Sequence, residues 1–251
     1  MIVSTFRRLI LVFLAIIVWF VVAYAEVFNP LLVPSPVTVI VRTGEQLIAS
    51  DSLFYDVFST LRRMIIGVAI AAIVGIPLGL LIGTQSIVRE LTKYLLDFFR
   101  SIPATALIPL FLLLFGFGDF SRVMLVGFSV SLVFAVQTAY GVLSVSKLRI
   151  ISARTLGASN SDILLKIIVP ESSPYIVSAM RVGISLSLVL VIVSEMFIGT
   201  QSGIGYVINE AHQVYDIGLM YGSIIITGII GLFVNMLVVK FENNAIHWMG
   251  R

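Results

Sequence analysis

An all-α integral membrane protein with about six membrane-crossing helices and one cytoplasmic helix–Gly–helix loop is the fold this sequence predicts. Three observations carry it. Of the 251 residues, 59% are hydrophobic and only 12% charged, against roughly 25% charged in soluble domains, and mean hydropathy is +1.11. The apolar residues come in blocks close to the ~20 residues that a bilayer-crossing helix needs. The basic residues then sort to one side of those blocks, as cytoplasmic loops require.

In chain order the apolar blocks cover residues 9–25, 64–83, 104–117, 123–142, 176–198 and 219–239. The first follows Arg7 and Arg8 and ends in Ala23-Tyr24-Ala25, a pattern shared with cleavable leaders; it is read as an uncleaved first helix. The third is short alone. It is expected to begin near Leu95 and to contain a break at Ile102-Pro103. No internal repeat or low-complexity linker interrupts the chain, so residues 1–251 form one membrane domain.

With the N-terminus inside, Arg7, Arg8, Arg89, Lys93, Arg100, Lys147, Arg149, Arg154, Lys166, Arg181, Lys240 and Arg251 are cytoplasmic, which is 12 of the 16 basic residues. Arg42, Arg62, Arg63 and Arg122 lie opposite, with the acids Glu26, Glu45, Asp51, Asp56, Asp119, Glu210 and Asp216. Both termini are therefore expected in the cytoplasm. The pI of 9.3 reflects this sorting, not a nucleic-acid surface. There is no cysteine, and His212 and His247 lie far apart, so no metal site, cofactor or catalytic group is expected.

Two water-facing stretches remain. Residues 26–63 open with Pro30, Pro34 and Pro36, which favour an extended crossing, and continue as short amphipathic helices at 37–48 and 53–62. The segment is either a cap lying on the lipid or a docking surface for an external partner. Residues 145–174 are cytoplasmic. Gly157 interrupts a helical pattern and can take positive φ; Ser159 offers an N-cap for a second helix, which Pro170 is expected to end. Ala153, Leu156 and Ala158 are expected on the exposed face of the resulting knob.

That run resembles a known signature. Ala153-Arg154-Thr155-Leu156-Gly157-Ala158-Ser159 followed by Ile167-Ile168-Val169-Pro170 is similar to the EAA loop of permease subunits of bacterial binding-protein-dependent ABC importers. The usual Glu-Ala-Ala falls on Ile151-Ser152-Ala153, so the acid is missing. Leu32-Val33-Pro34-Ser35-Pro36, Ser59-Thr60-Leu61-Arg62-Arg63 with Gly67, and Gly75-Ile76-Pro77-Leu78-Gly79 resemble the nitrate/sulfonate/taurine-type branch. So do Arg100-Ser101-Ile102-Pro103 with Pro109, and Glu195-Met196 followed by Gly203-Ile204-Gly205-Tyr206. The resemblance runs from residue 32 to 240.

The resemblance implies a multi-pass subunit of the bacterial inner membrane that pairs with a second copy of itself. It also implies two ABC ATPase subunits and an extracytoplasmic solute-binding protein as partners. The solute would be a small polar or ring compound of the sulfonate, nitrate, thiamin-precursor pyrimidine or riboflavin type. Ala153, Arg154, Leu156, Gly157, Ala158, Ser159 and Pro170 would form the ATPase-coupling loop. The chain holds no G-x-x-x-x-G-K-[ST] phosphate loop, so it is not expected to be an enzyme; hydrolysis would belong to the partner. The alternative is a channel or secondary transporter not driven by ATP, which calls for ionisable groups at membrane depth; Glu195 is the only candidate.

Within the spans, Gly67, Ala71, Gly75, Gly79 and Gly83 recur every fourth residue, a ridge for close helix contact inside the subunit or at a dimer seam. Pro77, Pro103 and Pro109 should kink or break their helices unless neighbours satisfy the freed carbonyls. Glu195 either lines the solute path or fixes the Gly-rich segment 199–205; it can also serve as an interfacial carboxylate or cap backbone amides there. Gln137, Tyr140 and Met196 complete the candidate pathway, and interhelical hydrogen bonding accounts equally well for the first two.

Overall fold

The structure, a computed structural model, describes residues 2–25, 28–29, 31–48, 53–197 and 201–245. Glu26, Pro30, Asp51, Gly199, His247 and Arg251 of the sequence reading lie outside these residues, as do the side chains of Arg7 and Arg8. All regular structure among the described residues is helical, without a strand.

Helix α1 (Ile2–Tyr24) contains the first apolar block, and α2 (Pro36–Ile48) follows. The start of α2 is set by its sequence: Pro36 fits a first helical position, and Ser35 Oγ accepts the Thr38 amide at 3.2 Å. Helix α3 (Leu53–Thr84) is a single 32-residue rod, about 48 Å long at 1.5 Å per residue. The expected separate helix at 53–62 is thus the first three turns of this span: nothing in Leu61-Arg62-Arg63-Met64 stops a helix, and its inner face is already buried at Asp56, Ser59, Thr60 and Arg63.

The third apolar block lies in a bent helix pair. Helix α4 (Ser86–Ser101) ends before Ile102-Pro103; a 3-10 turn (Ala104–Leu107) leads into α5 (Ile108–Phe115). The two halves meet at 88°. The bend falls where expected, because Pro103 forces Ile102 into extended backbone (ψ 123). The span begins earlier than Leu95, at Ser86. Pro109 causes no second break, since it occupies the first turn of α5.

Helix α6 (Asp119–Leu143) is the most buried span. The chain then makes α7 (Lys147–Thr155), α8 (Asn160–Ile163), one π turn (Leu164–Ile168) and α9 (Val169–Glu195). Pro170 does not end a helix here, contrary to the sequence expectation. The helical path is continuous from Asn160 to Glu195. The π turn, in which the Val169 amide reaches back to the Leu164 carbonyl, widens the helix just before the proline and removes the ring clash that would break a regular turn. Helices α10 (Ile204–Gln213) and α11 (Ile217–Ala245) complete the described chain.

Among the described residues, four helices are long and apolar enough to cross a bilayer: α3, α6, the rod ending in α9, and α11. The bent α4–α5 pair makes a fifth, and α1 holds a shorter apolar stretch, Phe13–Tyr24. The six apolar blocks of the sequence therefore each fall on one of these units. The core packs Val126, Val130 and Phe134 of α6 against Met64 and Ala71 of α3 and Ala179, Leu190 and Val191 of α9.

The small-residue ridge of α3 lies against α6 inside the subunit. A Cβ at Gly67 would come within 2.6 Å of Val126, and one at Gly75 within 2.5 Å of the Ser131 carbonyl. The ridge is spent on this contact and is not free to form a dimer seam. Rising numbers on α3 match rising numbers on α6, so the two run parallel. Gly183 of α9 meets Phe134 while Gly141 of α6 meets Ser172 and Tyr175, so α9 is antiparallel to both. On α9 and α11, Leu188 faces Gly231 and Arg181 pairs with Glu242, so that pair is antiparallel too. The bundle thus has one end that carries the Gly157 loop and another that carries Glu195.

At the Glu195 end, α2 is strapped to the start of α11. Arg42 bonds Asp216 at 2.6 Å and Glu45 at 2.9 Å. Trp19 Nε1 donates to the Pro34 carbonyl at 3.2 Å, and its ring stacks on Tyr221. The amphipathic segment after Pro36 is therefore held against the bundle.

Candidate functional site

The Gly157 loop is built from contacts between close neighbours. Helix α7 ends in a left-handed glycine, Gly157 at φ 84°. The Gly157 amide donates to the Arg154 carbonyl and the Ala158 amide to the Ala153 carbonyl, both at 3.0 Å. This paired closure satisfies the last free carbonyls of the helix. Ser159 then caps the next helix. Its Oγ accepts the Asp162 amide at 3.1 Å, and the Asp162 carboxylate accepts the Ser159 amide at 3.3 Å. Lys166, at 2.6 Å, and then Ser159 hold the Asp162 carboxyl down at a pKa of about 2.

The exposed face of the loop differs from the expected one. Ala153 and Ala158 turn partly inward, against a small core of Val142, Val145, Ile163 and Ile168. Leu148, Ile151, Leu156 and Leu165 are apolar residues left outside, Leu156 at 88% exposure. Inward alanines follow from the helix closure, which brings residues 153 and 158 together. Arg154, Gly157, Ser159 and Pro170 are exposed. Between α7 and the start of α9 runs a groove of about 420 Å³, lined by Leu148, Ser152, Ala153, Leu156 and Ile167 and bridged by the Arg149–Glu171 ion pair. A surface that is apolar, grooved and held by local bonds can dock against another protein without unfolding.

The other end is built from contacts across the chain. Glu195 is 1% exposed. Its carboxylate takes Arg63 Nη1 at 2.5 Å, Thr60 Oγ1 at 2.9 Å and the Gly205 amide at 3.1 Å. Arg63 also binds Asp119 and the Ser202 carbonyl, at 2.7 and 2.8 Å, while Arg62 pairs with Asp119 from outside. Asp56 accepts the Gly203 amide at 2.7 Å and Thr60 Oγ1 the Ile204 amide at 3.0 Å. The segment leading into α10 is thereby pinned to α3. Gly203, at φ 115°, admits no side chain, because a Cβ would collide with the Glu195 carboxyl group.

The four candidate pathway residues do not form one site. Glu195 faces into the subunit among these partners, and Met196 follows it at the end of α9. Tyr140 is 56% exposed and lines a cavity of about 520 Å³ between α4 and α6, with Arg89, Lys93 and Arg100. It lies about 27 Å of helix from Arg122, towards the Gly157 end. Gln137 is half-buried one turn before it. Sequence reasoning missed the partners Thr60, Arg63, Asp119, Ser202 and Gly203. One signal was present: Asp56, Thr60 and Arg63 recur at i, i+4 and i+7, which places three polar groups on one helix face.

The profile of the family described as "Binding-protein-dependent transport system inner membrane component" matches residues 75–243. The chain belongs to this family. A probable ABC transporter permease protein of Brucella abortus (strain 2308) is 34% identical over 218 residues, 87% of this chain and 86% of that protein. The taurine transport system permease protein TauC of Escherichia coli (strain K12) is 26% identical over 237 residues, 93% of this chain and 86% of that one. The nitrate import permease protein NrtB of a Synechocystis strain is 27% identical over 245 residues, 94% of this chain and 88% of that one. These relatives put this permease in the nitrate/sulfonate/taurine-type branch. In fold it is similar to a chain of the MetNI methionine ABC transporter in an inward-facing conformation, with a TM-score of 0.68 at 16% identity, over 79% of this chain and 99% of that chain.

Proposed function

We propose that this permease lines half of the solute path of an ABC importer of the bacterial inner membrane. A second copy supplies the other half, and two ATPase subunits dock on the Gly157 loops. In this reading the Gly157 end faces the cytoplasm with both termini, and the Glu195 end receives an extracytoplasmic solute-binding protein. Lipid covers the apolar faces of the outer helices. The solute is a small polar or ring compound; relatives named for taurine, aliphatic sulfonates and nitrate favour a small oxyanion-bearing molecule.

The observation that carries the reading is the Gly157 loop. It pairs an exposed Leu156 and an apolar groove with closures that use only residues 153–162. Such a loop can pass a push from a docked ATPase into α9 through the continuous rod that begins at Asn160. Among the residues of the candidate pathway, Tyr140 and Gln137 are placed near that end, while Glu195 organises the opposite one.

Native mass spectrometry of the gently extracted complex tests the assembly. The expected particle holds two copies of this chain and two ATPase subunits. A stable particle with one copy overturns the homodimer, and a chain that never co-purifies with an ATPase overturns the importer reading. Uptake of labelled taurine, an alkanesulfonate and nitrate into vesicles carrying the complex and its binding protein tests the solute class. Failure of all three, with another solute transported, removes the oxyanion reading and leaves the importer reading standing.

A further inference from the structure

Arg122 is the largest fully buried side chain of the described residues, 1% exposed, in the first turn of α6. One of its three nitrogens is used: Nη1 donates to the Gly118 carbonyl at 2.7 Å. Nε and Nη2 have no hydrogen-bond partner. A guanidinium keeps its charge in a protein, and a buried charge left unpaired is strongly unfavourable. Both orphan nitrogens are shut off from water-sized space. Neither a water, an ion nor a partner chain can reach them unless the helices move.

The two free nitrogens are not an arbitrary pair. Nε–H and the neighbouring Nη2–H point the same way and form the fork that accepts both oxygens of a carboxylate. Two carboxylates belong to the same cluster: Asp119, one turn before Arg122 on α6, and Glu195, which Arg63 joins to Asp119. Both are taken by Arg63, at 2.7 and 2.5 Å. The acids are therefore shared unevenly: Arg63 holds both, Arg62 pairs with Asp119 as well, and Arg122 holds neither.

We propose that Arg122 is the alternate partner of Glu195, which leaves Arg63 and the Gly205 amide for the Nε–Nη2 fork in the other state of the transport cycle. Arg63 keeps Asp119, so each arginine then holds one acid. Asp119 is the less suitable candidate for the exchange. It is half exposed and shared with Arg62, so its departure would take the acid from Arg62 as well as from Arg63. Glu195 stays dry on both sides of the exchange, and its movement frees the amide that ties residues 202–205 to α9. The segment before α10 loosens as Arg122 gains its partner. Arg122 is thus a positioning residue for the conformational change; nothing requires it to touch solute.

The inference rests on the importer reading, because it assumes an ATP-driven second state. Hydrogen exchange read by mass spectrometry, on the complex in nanodiscs, tests it without knowledge of the solute. In the parent complex, trapping with ATP and vanadate should speed exchange in peptides covering residues 203–210 at least threefold. In R122Q that rise should vanish, while the untrapped complex melts no lower than the parent, since the variant removes an unpaired charge. R122K, which keeps the charge but lacks the fork, should recover part of the rise. The proposal is overturned by an unchanged rise in R122Q, by a parent with no rise, or by an R122Q complex that melts lower or fails to assemble. Absence of any ATPase in the parent preparation is a different result: it strikes the importer reading itself.

Discussion

Gly157 and Gly203 each take a left-handed backbone next to a helix end, at φ 84° and 115°, and their surroundings are opposite. A Cβ on Gly157 would meet nothing within 4 Å. A Cβ on Gly203 would run into the carboxyl group of Glu195. The loop at Gly157 is held by the closure over residues 153–158 and the cap over 159–162. The segment at Gly203 is held by residues on α3 more than a hundred positions away, Asp56, Thr60 and Arg63. A loop that holds itself together leaves its outer surface free for another chain. A segment that completes a buried ion-pair network has no such freedom, and its glycine is required by packing as well as by φ.

The comparison can be broken most severely at Gly203. G203A should add backbone strain of about 1 kcal/mol or more and push Glu195 off Arg63. Breaking a buried pair costs about 3–5 kcal/mol, so the complex should melt well below the parent. E195Q should lose part of the same network without the collision and fall between the two, because Arg63 keeps Asp119 and Ser202. Differential scanning fluorimetry of the three complexes reads the order. A G203A complex that melts with the parent would show that this packing does not govern the Glu195 end.

The effect at Gly157 should be smaller in stability and larger in coupling. With open space around the position, G157V pays only for its positive φ, about 1–3 kcal/mol. The spans are untouched, so insertion should be normal. The ATPase should dock weakly, or hydrolyse ATP without uptake. Paired assays of ATP turnover and solute uptake in vesicles check this; parent-like values in both would remove the loop as the coupling element.

The smallest change sharpens the comparison from the other side. S159A should cost about 1 kcal/mol or less, as for an ordinary helix cap. Its pH dependence follows from Asp162, whose carboxyl is depressed by Lys166 and then Ser159 to about 2. A depressed acid stabilises fully above its unfolded value of about 3.9 and loses that contribution as pH falls through its folded value. The melting difference between S159A and the parent should stay constant from pH 8 to 5 and shrink only below about pH 4. A difference that changes near neutrality would mean that another group supports the cap.

Much of this architecture was legible in local sequence. Pro103 marked the bend between α4 and α5, and Gly157 with Ser159 marked the loop, because φ restriction, missing amides and caps act within a few residues. The misreadings share a cause. Pro170 looked like a stop, but the π turn Leu164–Ile168 just before it absorbs its ring. The stretch 53–62 looked like a separate surface helix, but α6 and α9 give its polar face buried partners. Ala153 and Ala158 looked exposed, but the helix closure turns them onto Val142 and Ile163. In each case the outcome depended on what lay opposite the residue.

The sequence alone determined that this is a multi-span membrane protein and which segments are apolar enough to be candidates for crossing, because the bilayer rewards every apolar residue independently of its neighbours. It determined the turn at Gly157 and the cap at Ser159 too, whose hydrogen bonds are short in sequence. Only the tertiary structure decided that the glycine ridge of α3 is consumed by α6. It alone decided that Glu195 is shared with Thr60, Arg63 and Gly205, and that Arg122 is buried without a full set of partners. Charges and small residues at membrane depth take their meaning from the group that faces them. In a bundle of parallel and antiparallel helices, that group can lie 147 residues away, as Asp56 does from Gly203.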